Sequence, residues 1–180
     1  MLGNDIVDLQ LATIQSNWRR KGYLQKIFTE KEQDLIANVK DQDQMVWLLW
    51  SMKEAAYKIV NRQSLKRFYS PTKFSCTING NIGTVTFEHQ IIYTRSEISE
   101  NYINTTATSE HNRKLERYLL HHPATYIEDF NKLSHKFELT KNEANLPTIQ
   151  DLLTEEFGPA SVSHHGRYVS IVHPTQFEPV

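Results

Sequence analysis

Cysteine is almost missing: Cys76 is the only one in 180 residues. A single thiol excludes an internal disulfide framework and any multi-cysteine metal site. It suits a reducing compartment, so a cytoplasmic location is expected. An excess of one charge is missing as well. The chain carries 20 basic and 21 acidic residues, a net charge of −1, which argues against a general nucleic-acid binder. Long hydrophobic runs are absent. The longest, Met45–Trp50, is far too short to span a bilayer, so no membrane association is expected. The first residues carry Asp5 and Asp8 without a basic start, so they do not read as a signal peptide. No internal repeat or low-complexity tract is found. What is present, 39% hydrophobic and 23% charged residues, suffices to bury a core.

The hydrophobic pattern then divides the chain into elements. Leu2–Leu9 reads as a short strand, with Asp5 and Val7 on one face and Ile6 and Asp8 on the other. Thr29-Glu30-Lys31-Glu32 is a capping box opening a short helix. Gln44 to about Asn61 gives the strongest helical signal, with Met45, Leu48, Leu49, Met52, Ala56 and Ile59 on one stripe. Glu54 falls opposite the centre of that stripe, with Ser51 and Lys58 beside it. Taken alone, Glu54 and Lys58 at i, i+4 read as a solvated face with a routine ion pair.

Beyond the helix the rhythm becomes extended. Phe74–Ile78 and Ile82–His89 flank Asn79-Gly80-Asn81, a hairpin signal. Gln90–Arg95 and Tyr102–Thr108 are extended, while Arg113–Leu120 and Thr125–Phe137 suit helices. Ala160–Val172 is strand-like, broken by His165-Gly166-Arg167. The mixture predicts an α+β fold.

Three segments carry chemistry: Gly3-Asn4-Asp5, Trp50-Ser51-Met52-Lys53-Glu54-Ala55-Ala56-Tyr57-Lys58, and Ser161-Val162-Ser163-His164. In this order and spacing they resemble the 4′-phosphopantetheinyl transferase superfamily. They match its G-x-D strand, its W/F-S-x-K-E-A-x-x-K helix, and the S-x-S-H segment of the short holo-acyl-carrier-protein synthase type. Lys26–Thr29 with Glu32 resembles the segment that precedes the helix motif in that type. The resemblance covers Met1–Phe74 and Gly158–Val172. It leaves residues 75–157 as an elaboration within a single domain spanning 1–180.

The resemblance implies an antiparallel sheet packed with the long motif-bearing helix. It implies Mg²⁺-dependent transfer of the 4′-phosphopantetheine group of coenzyme A to a serine of an apo acyl or peptidyl carrier protein, with release of 3′,5′-ADP. Fatty acid biosynthesis is one pathway that would use such a reaction. The metal would sit on Asp5 and Glu54. Asp8 ranks behind them, because strand geometry turns it away from Asp5. The larger, surfactin-type members place a second acid where Val7 stands here. Glu54 would also take the serine proton. Lys58 would hold a phosphate oxygen or help the leaving group, with Lys53 as a further phosphate contact. Ser163 and His164 would meet the 3′-phosphate end of coenzyme A. Motif order also implies a homo-oligomer, a trimer being favoured, with the site shared between subunits.

Several residues carry plainer readings. His164-His165 lacks a third ligand for zinc. His121-His122 reads as a helix end, and Cys76 as packing. Arg19, Arg20 and Lys21 suit either an acidic carrier protein or a solvated loop. Two rivals stand against the transferase reading. One is a catalytically silent module of the same fold that binds coenzyme A or a carrier protein. The other is a coenzyme A-dependent acyltransferase, which would call for a nucleophile rather than a carboxylate pair.

Overall fold

The computed structural model describes residues 1–65, 68 and 70–177. Strand β1 (Leu2–Asp8) runs into α1 (Leu9–Gln15), followed by α2 (Tyr23–Ile27), α3 (Glu30–Asn38) and α4 (Gln42–Ser64). The expected capping box is formed: Glu32 N–H donates to Thr29 Oγ1, and Thr29 N–H donates to Glu32 Oε2 at 2.8 Å. Asp41 caps α4, its carboxylate accepting from Gln44 N–H at 2.9 Å. Strands β2 (Phe74–Asn79), β3 (Ile82–Phe87), β4 (Gln90–Ile98) and β5 (Tyr102–Thr108) complete an antiparallel sheet of order β1-β5-β4-β3-β2.

Helix α4 lies across one face of this sheet. Val46, Leu49, Met52, Ala56 and Ile59 of the helix pack on Val85, Ile92, Ile103 and Ala107 of the strands. The glycine of the first motif is explained here. A Cβ on Gly3 would stand 2.2 Å from the Ala55 carbonyl oxygen and 3.2 Å from Lys58 Cβ. Only glycine lets β1 approach α4 this closely, and that approach brings Asp5, on the same strand face, against the helix.

The rest of the chain forms a second packed unit. It comprises β6 (Leu115–Leu120), α5 (Tyr126–Leu133), β7 (Phe137–Lys141), β8 (Pro147–Asp151), β9 (Phe157–Pro159), β10 (Ser161–His165) and β11 (Tyr168–Pro174). Two three-stranded sheets, β10-β11-β6 and β7-β8-β9, enclose a separate core of Phe130, Phe137, Leu139, Ile149, Val169 and Ile171. β10 and β11 cover the face of β1 turned away from α4. There Asn4 Nδ2 donates to Ser170 O at 2.9 Å and to Ser170 Oγ at 3.1 Å, and Ser170 Oγ donates to Asn104 Oδ1 at 3.0 Å. Asn4 is fully buried and joins the two units.

Two expectations change. Arg113–Leu120 is not helical, since Leu115–Leu120 pairs with β11 as a strand and this pairing overrides an ambiguous local pattern. Residues 75–157 do not form one insertion: β2–β5 complete the first sheet, and the second core begins only at β6. No helix among the described residues is long and apolar enough to cross a membrane.

Candidate active site

Asp5 points from β1 at three positions of α4: Ser51, Glu54 and Lys58. The i, i+3, i+7 spacing sets these on one helix face. The face is not solvated, because β1 and β10 cover it. Ser51 is fully buried, and Glu54 and Lys58 are half-buried. Asp5 Oδ2 and Ser51 Oγ have no aligned hydrogen-bond partner among the described residues. Burial raises the Asp5 carboxyl from its ordinary 3.8 to about 7; the Glu54 carboxyl adds to the rise, while Lys58 and the Ser51 hydroxyl oppose it. Burial also raises Glu54, against the pull of Lys58. Lys58 is lowered, chiefly by burial, with Asp5 and Glu54 acting against that shift. Its ammonium donates to the Val162 carbonyl at 3.0 Å and makes no ion pair with Glu54 among the described residues. The routine surface pair expected from helix spacing is therefore not formed.

A cleft of about 320 Å³ opens over this cluster, lined by Asp5, Glu54, Trp47, Trp50, His164 and His165 among others. Trp47 Nε1 is a buried donor with no partner among the described residues. His164 is exposed and lines the same cleft as Glu54. Ser163 does not line the cleft; it is buried behind it, and its hydroxyl has no partner among the described residues. His165 has a role that the sequence did not reveal. Its Nδ1 accepts from Asp8 N–H at 2.9 Å and its Nε2 faces Gln15 Oε1 at 3.3 Å, the arrangement of a neutral ring. A larger groove of about 1010 Å³ lies elsewhere, on the far face of the five-stranded sheet beside Arg95 and Lys114, and holds none of the motif residues.

Asp8 is committed elsewhere. Its carboxylate caps α1, accepting from Gln10 N–H at 3.1 Å and Leu11 N–H at 3.3 Å. It also lies 3.5 Å from Arg167 Nε, beside the β10–β11 turn.

Lys53 requires a correction, because it does not reach the site. It is 2% exposed, and its ammonium contacts Glu32 Oε2 at 2.8 Å, donates to Pro71 O at 3.0 Å and donates to Phe74 O. Glu32 in turn accepts from Cys76 N–H at 2.7 Å and from Thr29 N–H at 2.8 Å. This buried pair pins α3, α4 and the start of β2 together, so Lys53 cannot serve as a phosphate contact. Removing one member strands the other charge, so Lys53→Met should cost about 3–5 kcal/mol of stability. Thermal denaturation should show the loss, while the KM for coenzyme A of the folded fraction stays unchanged. A raised KM at unaltered stability would return Lys53 to the substrate.

Arg19, Arg20 and Lys21 also separate. Arg19 is exposed and grips Asp43 through two hydrogen bonds, at 2.9 and 2.8 Å. Arg20 and Lys21 are exposed. His121-His122 follow a strand rather than a helix, and Cys76 is buried as expected.

Among the described residues no cluster of three or more His, Cys, Asp or Glu side chains stands ready for a metal. Asp5 and Glu54 alone offer two carboxylates, one with an orphaned oxygen. That donor set fits Mg²⁺, which takes one or two protein carboxylates and fills its shell with water and phosphate oxygens.

The fold and this cluster define an α+β protein with a half-buried carboxylate pair at one cleft and a lysine beside it. A family model for the 4′-phosphopantetheinyl transferase superfamily matches residues 1–115. The chain belongs to that superfamily and is a transferase of the phosphopantetheinyl kind. The match takes in β2–β5 and ends before the segment that carries Ser163 and His164. No curated protein gives a significant match.

Proposed function

We propose that this chain transfers 4′-phosphopantetheine from coenzyme A to a serine of an apo carrier protein, with Mg²⁺ and with release of 3′,5′-ADP. The observation that carries the reading is the Asp5–Glu54 pair, two half-buried carboxyls with raised pKa values that line an open cleft, with Lys58 beside them. The serine Oγ forms the new bond to the phosphorus bearing pantetheine. The bond from that phosphorus to the bridging oxygen of the pyrophosphate breaks, and 3′,5′-ADP departs with the electron pair. Glu54 accepts the serine proton, a task suited to a carboxylate raised toward neutrality. Asp5 and Glu54 would hold the Mg²⁺, which neutralises charge on the phosphates when bound. Lys58 turns from the Val162 carbonyl toward a phosphate oxygen, and His164 stands at the lip for the 3′-phosphate end. Arg20 and Lys21, near the cleft residue Tyr23, offer charge to an acidic carrier protein.

Motif order suggested a site shared in a trimer. Here Asp5, Glu54 and His164 meet within one chain, and sedimentation of the active protein decides its assembly.

The test is intact-mass spectrometry of apo carrier proteins incubated with the protein, coenzyme A and Mg²⁺. A mass gain of one phosphopantetheine, abolished by chelator, supports the reading. No gain over a panel of fatty-acid, polyketide and peptide carriers, with coenzyme A still bound, replaces it with the binding-module reading.

A further inference from the structure

β10 is a free edge. Its sheet has the order β10-β11-β6, so β10 pairs with β11 on one side only. Its other side carries no strand ladder; it packs against β1, and two side chains of α4 reach over to its carbonyls. Lys58 Nζ donates to Val162 O at 3.0 Å, and Arg62 Nη2 donates to Ala160 O at 2.7 Å. The spacing explains why a helix can do this. Four residues of α-helix rise ~6 Å, and two residues of strand rise ~6.7 Å. Side chains at i and i+4 of α4 therefore meet carbonyls two residues apart, Ala160 just before β10 and Val162 within it, where a neighbouring strand would have offered N–H groups.

The same step fixes the active-site register. One turn back along α4 from Lys58 is Glu54, and two residues on along β10 from Val162 is His164. Both line the cleft. At the far end of β10, His165 Nδ1 accepts from Asp8 N–H at 2.9 Å. Beyond its ladder with β11 and its packing on β1, this segment is tied through side chains at Arg62, Lys58 and His165, the last to Asp8. Lys58 is the one that the transferase reading calls away to phosphate. When it turns, the Val162 carbonyl loses its donor, and among the described residues Arg62 is the side chain of α4 that still holds this segment directly.

Arg62 has the chemistry for this task. It keeps its charge, and it is half-buried. Its partner is a neutral carbonyl, and it forms no ion pair among the described residues. We propose that Arg62 is a positioning residue: by holding Ala160 O it keeps β10 in register with α4 and so keeps His164 on the cleft it shares with Glu54 while Lys58 serves the substrate. This rests on the transferase reading for the part that concerns Lys58 and coenzyme A.

The experiment has two arms on the full chain, with Arg62→Met and Arg62→Lys. The first is hydrogen–deuterium exchange without substrate, followed over residues 158–165 and compared with α4 and β1. Arg62→Met should raise exchange in β10 about tenfold while α4 and β1 keep their protection. Arg62→Lys, which retains one donor, should restore most of it. The second arm is steady-state transfer. Arg62→Met should raise the KM for coenzyme A about tenfold with a smaller change in kcat, and Arg62→Lys should recover most of the loss. Unchanged β10 exchange in Arg62→Met overturns the proposal. So does exchange that rises equally in α4 and β1, which would make Arg62 a general stabiliser, and so does an unchanged KM. An unsubstituted protein that transfers nothing would sink the transferase reading alone, and the exchange arm would still decide whether Arg62 holds the strand.

Discussion

Glu54→Gln is expected to leave a folded protein that transfers phosphopantetheine about 10²- to 10⁴-fold more slowly, the range for loss of a general base. Glutamine keeps the size and shape of the side chain, so Trp47, Trp50 and His164 around the cleft keep their packing. What it removes is the negative charge and the proton acceptor. Burial holds Glu54 above the ordinary carboxylate range, which places its proton affinity nearer that of the group it must deprotonate. The fold should tolerate the change, since Glu54 and Asp5 repel one another and that repulsion helps to raise Asp5. Initial rates by intact mass, beside thermal denaturation of both proteins, separate the effects. A rate within threefold of the unsubstituted protein would assign the proton to another group.

The parts of this site that could be read in advance are local ones. The Thr29–Glu32 capping box lies within four consecutive residues, and the structure forms it. The helical spacing of Ser51, Glu54 and Lys58 was equally legible, because it depends only on 3.6 residues per turn. Their burial was not legible, because the strand that covers them comes from 104 residues further along the chain at the Lys58–Val162 contact. A surface pair and a buried cluster have the same local pattern. Lys53 failed for the same reason: its partner Glu32 belongs to another helix, and the carbonyls of Pro71 and Phe74 follow α4. Asn4 is polar yet fully buried beside the motif aspartate, and the docking of β11 explains it. Arg62 continues the Glu54–Lys58 stripe by one more turn, so the sequence held the signal for it. Its meaning needed the free edge of β10.

Asp5→Asn is expected to act in two opposite directions: it should silence transfer and stabilise the metal-free chain. The sign follows from the shift. Unfolded, the carboxyl titrates near its ordinary 3.8; folded, it titrates near 7. Between those values the unfolded state has lost its proton while the folded state holds it. The contribution is thus fully present below the lower value and is lost as the pH rises through the upper one. Above that, the folded chain holds a buried negative charge that Lys58 only partly offsets. A shift of this size corresponds to on the order of 1–4 kcal/mol, with solvent in the cleft pulling toward the lower end. Asparagine removes the charge at nearly constant volume. Melting temperatures of both proteins, taken in chelator from pH 4 to pH 8, should diverge as the pH rises, with the variant the more stable. Mg²⁺ should then raise the melting temperature of the unsubstituted protein and close the gap, because a ligand bound only by the folded state stabilises it. Curves that stay parallel with pH would mean that Asp5 is not a strained buried acid. A variant that still gains stability from Mg²⁺ as the unsubstituted protein does would place the metal on other residues.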